Sequence, residues 1–174
     1  DGHKTIPSSV IRLPSSFSLG ATMTDAYQPR GKYFEEFEIG LEFVTMGRTV
    51  TEADIVNFAG VCGDFNAIHT DAEFSKATPY GERIAHGLLG LSIATGSIMQ
   101  LGVMDGTVIA FTGLEWKFKG AVKIGDTIHA VGKVKQTKAM KALGGGIVVV
   151  ELRVLNQRDE TTQVGEMTVL IKSK

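Results

Sequence analysis

Between Ile84 and Leu101 the chain places Leu88, Leu89, Leu91, Ile93, Ala94, Ile98, Met99 and Leu101 around most of the circumference of a helix rather than along one stripe. A helix apolar on nearly all sides must be wrapped by other structure, and this requirement constrains the rest of the chain. The segment does not read as a lipid span. Ser92, Thr95, Ser97 and Gln100 interrupt it, and Arg83 and His86 stand at its start.

The wrapping comes from residues 107–118, 126–138, 146–156 and 163–173, which read as four long strands. Val148, Val150, Leu152 and Val154 alternate with Glu151 and Arg153, the period of a sheet with one buried face. Gly144, Gly145 and Gly146 mark the hairpin turn between two of these strands. Ahead of the helix, Leu41 to Val50 reads as a first strand. Thr51 then caps a helix with Glu52 and Asp54 in its first turn and Ile55, Phe58, Ala59 and Cys62 at helical spacing, ended by Gly60 and Gly63. Thr70 followed by Glu73 is a capping box for a shorter helix running to about Ala77 before Pro79, which sets His69 just ahead of a helix start. One strand, helices, then a run of strands predicts an α+β domain in which a curved antiparallel sheet surrounds a long central helix. Residues 34–174 form this domain. Residues 1–33, with Pro7, Pro14, Pro29 and several serines, read as an N-terminal extension or tag.

Composition narrows the function classes. With 18 basic and 19 acidic side chains the formal charge is -1, which removes the broad electrostatic reason to expect nucleic acid or an anionic membrane as partner. The single cysteine, Cys62, excludes an intrachain disulfide and any zinc site built on several thiolates. A reducing compartment fits, no secretory signal is visible, and a cytoplasmic location is the expectation. Seven lysines between Lys117 and Lys141 read mostly as a solvated face.

The segment Gly63-Asp64-Phe65-Asn66-Ala67-Ile68-His69 places a carboxylate, a carboxamide and an imidazole between two helix boundaries. Asp64 and His69 do not stack on one helical face at this spacing, so they meet only if the loop folds back. If they meet over one water, one can take its proton while the other helps deliver a proton elsewhere. The blander alternative is an Asx turn and a surface histidine. Further on, Arg83-Ile84-Ala85-His86-Gly87 opens the central helix, where a glycine lets a ligand approach a free N–H at the positive end of the dipole. That N–H suits a developing oxyanion. The alternative is that Gly87 permits tight packing and His86 satisfies a loop carbonyl. Asp64, His69 and His86 are metal-ligand types, but too few for a defined site, and neither a metal nor a bound cofactor is expected.

Taken together, Gly63-Asp64-Phe65-Asn66-x-Ile68-His69 and Ile84-Ala85-His86-Gly87 resemble the MaoC-like, (R)-specific enoyl-CoA hydratase family, over roughly residues 35–174. The resemblance implies a single hot-dog domain, a homodimer or higher homo-oligomer, and an acyl-CoA or acyl-carrier thioester as substrate, hydrated reversibly from trans-2-enoyl to (R)-3-hydroxyacyl. It implies that Asp64 and His69 bind the reacting water and that Gly87 donates its N–H to the thioester oxygen. Asn66 would brace the loop, and Asn66, His86 and Thr95 would be the substrate-binding residues. The family proline after the asparagine is replaced here by Ala67. A thioesterase on the same fold and a non-catalytic acyl-thioester binding protein are the alternatives, separated by free thiol release and by binding without turnover.

Overall fold

A computed structural model describes residues 28–174, so most of the expected 1–33 extension lies outside the described residues. Where the chain enters, the N–H groups of Gly31 and Lys32 donate to the carbonyls of Asp105 and Val103, tying it to the turn after the long helix.

The expected first strand is two short strands, β1 (Glu42–Val44) and β2 (Arg48–Thr49). Both pair antiparallel with β4 (Thr127–Met140). Between them Thr45 is buried and its hydroxyl accepts the Ala130 N–H, which breaks the ladder without orphaning a donor. Helix α1 (Glu52–Cys62) follows with Thr51 as its cap. The Asp54 N–H donates to the Thr51 hydroxyl and the Thr51 N–H donates back to the Asp54 carboxylate, a reciprocal capping box. Gly60 lies inside this helix; only Gly63, at φ 75°, ends it.

Two short helical segments come next, α2 (Ala67–Thr70) and α3 (Ala72–Lys76). The expected Thr70 cap is replaced by Asp71, whose carboxylate accepts from the N–H groups of Glu73 and Phe74. The Thr70 hydroxyl instead donates back to the carbonyls of Phe65 and Asn66. A carboxylate at the start of a helix outcompetes a hydroxyl because it also meets the dipole. Helix α4 spans Gly87–Gln100 and begins three residues later than its apolar pattern suggests. Ile84 pairs with Lys123 and the Ala85 N–H donates to the Val122 carbonyl, so residues 84–86 are held extended against the sheet.

The strands β3 (Val108–Phe118), β4, β5 (Gly145–Leu155) and β6 (Thr161–Lys172) form the antiparallel sheet in the order β1-β4-β5-β6-β3. The β4–β5 turn is made by residues 141–144 with Gly144 at φ 70°, while Gly145 and Gly146, read as turn residues from sequence, are paired strand residues. Leu89, Ile93, Ala94 and Ile98 of α4 pack on the inner face of the sheet, among Val134, Val148, Val150, Leu152, Met167, Val169 and Ile171. Leu88 and Met99, on the far side of α4, stay exposed in the single chain. Among the described residues no helix is long and apolar enough to cross a membrane.

Burial by itself raises the Asp54 carboxyl, but the Thr51 N–H and hydroxyl and the Arg48 guanidinium together hold it below its ordinary value. A carboxyl depressed in the folded state contributes stability that is full above its unfolded pKa and disappears as pH falls through the folded one. We therefore expect Asp54→Asn to lower unfolding free energy by about 1 kcal/mol at neutral pH. The gap to the wild type should shrink steadily in acid, as read from urea unfolding curves between neutrality and pH 3.

A candidate active site at the start of the long helix

The loop after α1 is shaped by two side chains that serve their own backbone. The Asp64 carboxylate accepts the Asn66 N–H, and the Asn66 carboxamide oxygen accepts the Ile68 N–H and caps α2. These two turns bring His69, inside α2 rather than ahead of a helix, back toward Asp64. The His69 Nε2 and Asp64 Oδ2 stand 3.9 Å apart. His69 is nearly buried, whereas Asp64 is about half exposed, at the rim.

Both histidines are fixed by backbone carbonyls. His69 Nδ1 lies 2.8 Å from the Ile84 oxygen, and His86 Nε2 lies 2.9 Å from the Asp64 oxygen. A carbonyl can only accept, so the bonded nitrogen carries the proton in each ring. In the neutral ring this leaves the His69 lone pair on Nε2, facing Asp64. The neutral His86 ring likewise keeps its lone pair on Nδ1, which is buried with no hydrogen-bond partner among the described residues. The rings stack, centroids 3.8 Å apart and planes 28° apart, and the Phe58 ring lies tilted against His86 with centroids 5.2 Å apart.

Ligand atoms of Asp64, His69 and His86 lie within 4.8 Å of one another, a spacing that draws attention as a metal cluster. Stacked imidazoles, however, run their in-plane lone pairs side by side, and two of the four ring nitrogens already serve carbonyls. Such a set does not converge on one tetrahedral ion.

Beside His69 opens a cavity of about 430 Å³, lined among others by His86, Gly87, Leu88, Phe118, Lys119 and Gln163. Gly87 and Leu88 supply the first two N–H groups of α4, which have no acceptor within the helix, whereas those of Leu89 and Gly90 return to the His86 carbonyl. A Cβ on Gly87 would stand 2.7 Å from the Phe118 ring, so any side chain there would force that ring to move. The structure thus brings His69, His86 and Gly87 to one cavity, with Asp64 at its edge and Asn66 behind the loop. Thr95 is not brought there. It lies two turns along α4 with its hydroxyl donating to the carbonyls of Leu91 and Ser92, a role open to any helical threonine. Of the lysine cluster, Lys119 reaches the cavity, while Lys123, Lys133 and Lys135 are paired with Glu82, Glu42 and Glu166.

Sequence reasoning missed Phe118 and Gln163. Gln163 is 2% exposed, with its Nε2 donating to the Gly87 carbonyl at 3.0 Å. A signal was present: Gln163 shares strand parity with Met167, Val169 and Ile171, all buried, and a polar side chain on a buried face must have a partner.

Comparison with known proteins bears on the family and the fold. Protein MaoC of Klebsiella aerogenes is 40% identical over 125 residues, 71% of this chain, but the match spans only 37% of that protein's length. An (R)-specific enoyl-CoA hydratase of Aeromonas caviae is 26% identical over 135 residues, covering 78% of this chain and 96% of the enzyme. A solved structure from Archaeoglobus fulgius, described as a monoamine oxidase regulatory protein, superposes with a TM-score of 0.78 at 39% identity, covering 83% of this chain and 96% of that one. A Mycobacterium tuberculosis protein with a double hotdog fold superposes with a TM-score of 0.74 over 85% of this chain and 46% of its own, at 17% identity, which speaks to the fold alone. The family model for the MaoC like domain matches residues 36–156, from ahead of β1 through the paired histidines to the end of β5, and the chain belongs to that family with a hot-dog fold.

Proposed function

We propose that this chain reversibly hydrates a trans-2-enoyl thioester, of CoA or of an acyl carrier, to the (R)-3-hydroxyacyl thioester. The observation that carries the reading is the separation of Asp64 and His69. At 3.9 Å the carboxylate and the unprotonated Nε2 are too far apart for a direct hydrogen bond and suitably placed to hold one water between them. The named hydratase relative from Aeromonas caviae supports the reaction class.

In this mechanism the acyl thioester lies in the cavity with its carbonyl oxygen at the N–H groups that open α4. The Asp64 carboxylate accepts one hydrogen of the water and orients it. His69 Nε2 takes the other proton as the water oxygen bonds to C3. The C2–C3 π electrons form the C1–C2 π bond of an enolate and the carbonyl π electrons move onto the thioester oxygen, where the Gly87 and Leu88 N–H groups meet the developing negative charge. The enolate then takes the proton back from His69 at C2, on the face from which water attacked, and His69 returns to its starting form. One water is consumed and no other reagent is needed. The dehydration runs the same steps in reverse.

The chain also has a surface suited to a second copy of itself. Among the described residues β3 is the last strand of the sheet and has one edge without a partner strand, with Ile109, Phe111, Leu114 and Phe118 exposed along it. An exposed, long, apolar edge is a template for pairing, and we propose that two chains meet there.

Asp64→Asn keeps the oxygen that accepts the Asn66 N–H, and we expect it to fold while losing about a hundredfold or more of crotonyl-CoA hydration, as should His69→Gln. Turnover is followed by loss of the conjugated thioester absorbance, with free thiol measured in parallel. Wild-type-like rates in either variant, or thiol release in place of hydration, would overturn the reading. Phe111→Lys should convert a dimer to a monomer in sedimentation; an unchanged mass would place the interface elsewhere.

A further inference from the structure

Four residues at the end of the β3–β6 ladder share one face. Phe118 stands opposite Gln163 and Trp116 opposite Gly165, so two consecutive same-face rungs meet the start of α4. Each has a specific consequence. A Cβ on Gly165 would stand 2.4 Å from the Trp116 ring and 2.0 Å from the Glu115 carbonyl oxygen, so only glycine lets the indole lie against the strand. From there the Trp116 Nε1–H donates to Gln163 Oε1 at 2.9 Å. That bond orients the carboxamide, leaving Nε2 to donate to the Gly87 carbonyl at 3.0 Å. On the helix side, a Cβ on Gly90 would stand 2.3 Å from Gln163 Nε2, so room for the amide is made at that position as well.

The Gly87 carbonyl belongs to the same peptide as the Leu88 N–H, and it follows directly on the Gly87 N–H. A donor on this carbonyl does two things. It fixes the plane of the first helical peptide, and it polarises that peptide so that its own N–H, that of Leu88, becomes a better donor beside the Gly87 N–H. The carbonyls of a first helical turn are ordinarily satisfied from within the helix, so a buried side chain is not needed there for saturation alone.

We propose that Gln163, oriented by Trp116, is a positioning residue for the oxyanion donors. The indole, carboxamide and Gly87–Leu88 peptide form one hydrogen-bonded relay ending at the mouth of the cavity. The proposal rests on the hydratase reading for what the donors bind, but the relay can be tested apart from turnover.

Glu at position 163 keeps the shape and can still accept from Trp116, but as a carboxylate it cannot donate to the Gly87 carbonyl. Gln163→Glu should therefore lose on the order of a hundredfold in kcat for crotonyl-CoA with KM changed by less than about threefold. Its kcat relative to wild type should climb as pH is lowered and the new carboxyl gains a proton it can donate. Trp116→Phe, which retains the Gln163 to Gly87 bond, should show a smaller loss of the same kind, and serves if Gln163→Glu does not fold. The chain has one tryptophan, so its indole N–H gives a single resonance. In wild type that resonance should move when acetoacetyl-CoA, whose enolate puts negative charge on or near the thioester oxygen, is titrated in. A Gln163→Glu or Trp116→Phe enzyme with kcat within twofold of wild type, a loss carried wholly by KM, or an indole resonance unmoved by bound ligand would overturn the relay. A wild-type chain that shifts its indole but hydrates nothing would overturn the hydratase reading and leave the relay standing. Failure to bind acetoacetyl-CoA at all would overturn both.

Discussion

The site depends on a reciprocal tie between two stretches of backbone. His69, from the loop after α1, donates to the carbonyl of Ile84 on the way into α4, and His86, from that entry, donates to the carbonyl of Asp64 in the loop. Each imidazole thereby satisfies a carbonyl of the other segment. The two bonds also set both tautomers, which is what leaves a lone pair on His69 Nε2 facing Asp64. If either tie were lost, a buried polar group would be left unpaired, a cost of about 1–3 kcal/mol, and the stacked rings would lose their register. One pair of contacts therefore fixes both the packing of the two segments and the position of the ring protons.

Around that tie, the fold uses size rather than charge to bring groups close. Gly87 admits the Phe118 ring, Gly90 admits the Gln163 carboxamide, and Gly165 admits the Trp116 indole. The apolar helix is thus docked at its first turn through three positions without a Cβ, and further along through Ile93, Ala94 and Ile98 against the valine-rich inner face of the sheet. The first turn holds the free N–H groups; the later turns hold the helix in place. A helix anchored along its length keeps its N-terminal donors where a ligand can meet them, and preorganised donors of this kind incur no reorganisation cost during reaction.

Much of the architecture was legible because it follows from periodicity. The alternation through Val148 to Val154 and the all-round apolar pattern of α4 fixed the sheet and the helix to within a few residues. The errors lie where two local options compete. Asp71 displaced Thr70 as a cap because a carboxylate is the stronger partner for a helix start. The expected first strand split because the side chain of Thr45 could replace a ladder bond. Gly145 and Gly146 looked like turn residues, but their missing Cβ atoms make room for the Ile171 carbonyl and the Phe34 ring across the sheet.

The sequence by itself supplied the polar groups that lie near the cavity, since Asp64, Asn66, His69, His86 and Gly87 all fall in or beside two short, locally encoded helix starts. It did not determine which of them meet, because that depends on hydrogen bonds between segments more than ten residues apart. Thr95 remained on its own helix for the same reason: its local acceptors were nearer than any cavity. Gln163 and Trp116 entered the site only through the β3–β6 register, a pairing of strands 47 residues apart at that contact. Local pattern encodes conformation and the supply of reactive groups, whereas convergence on one cavity is a property of long-range pairing that only the folded chain can specify.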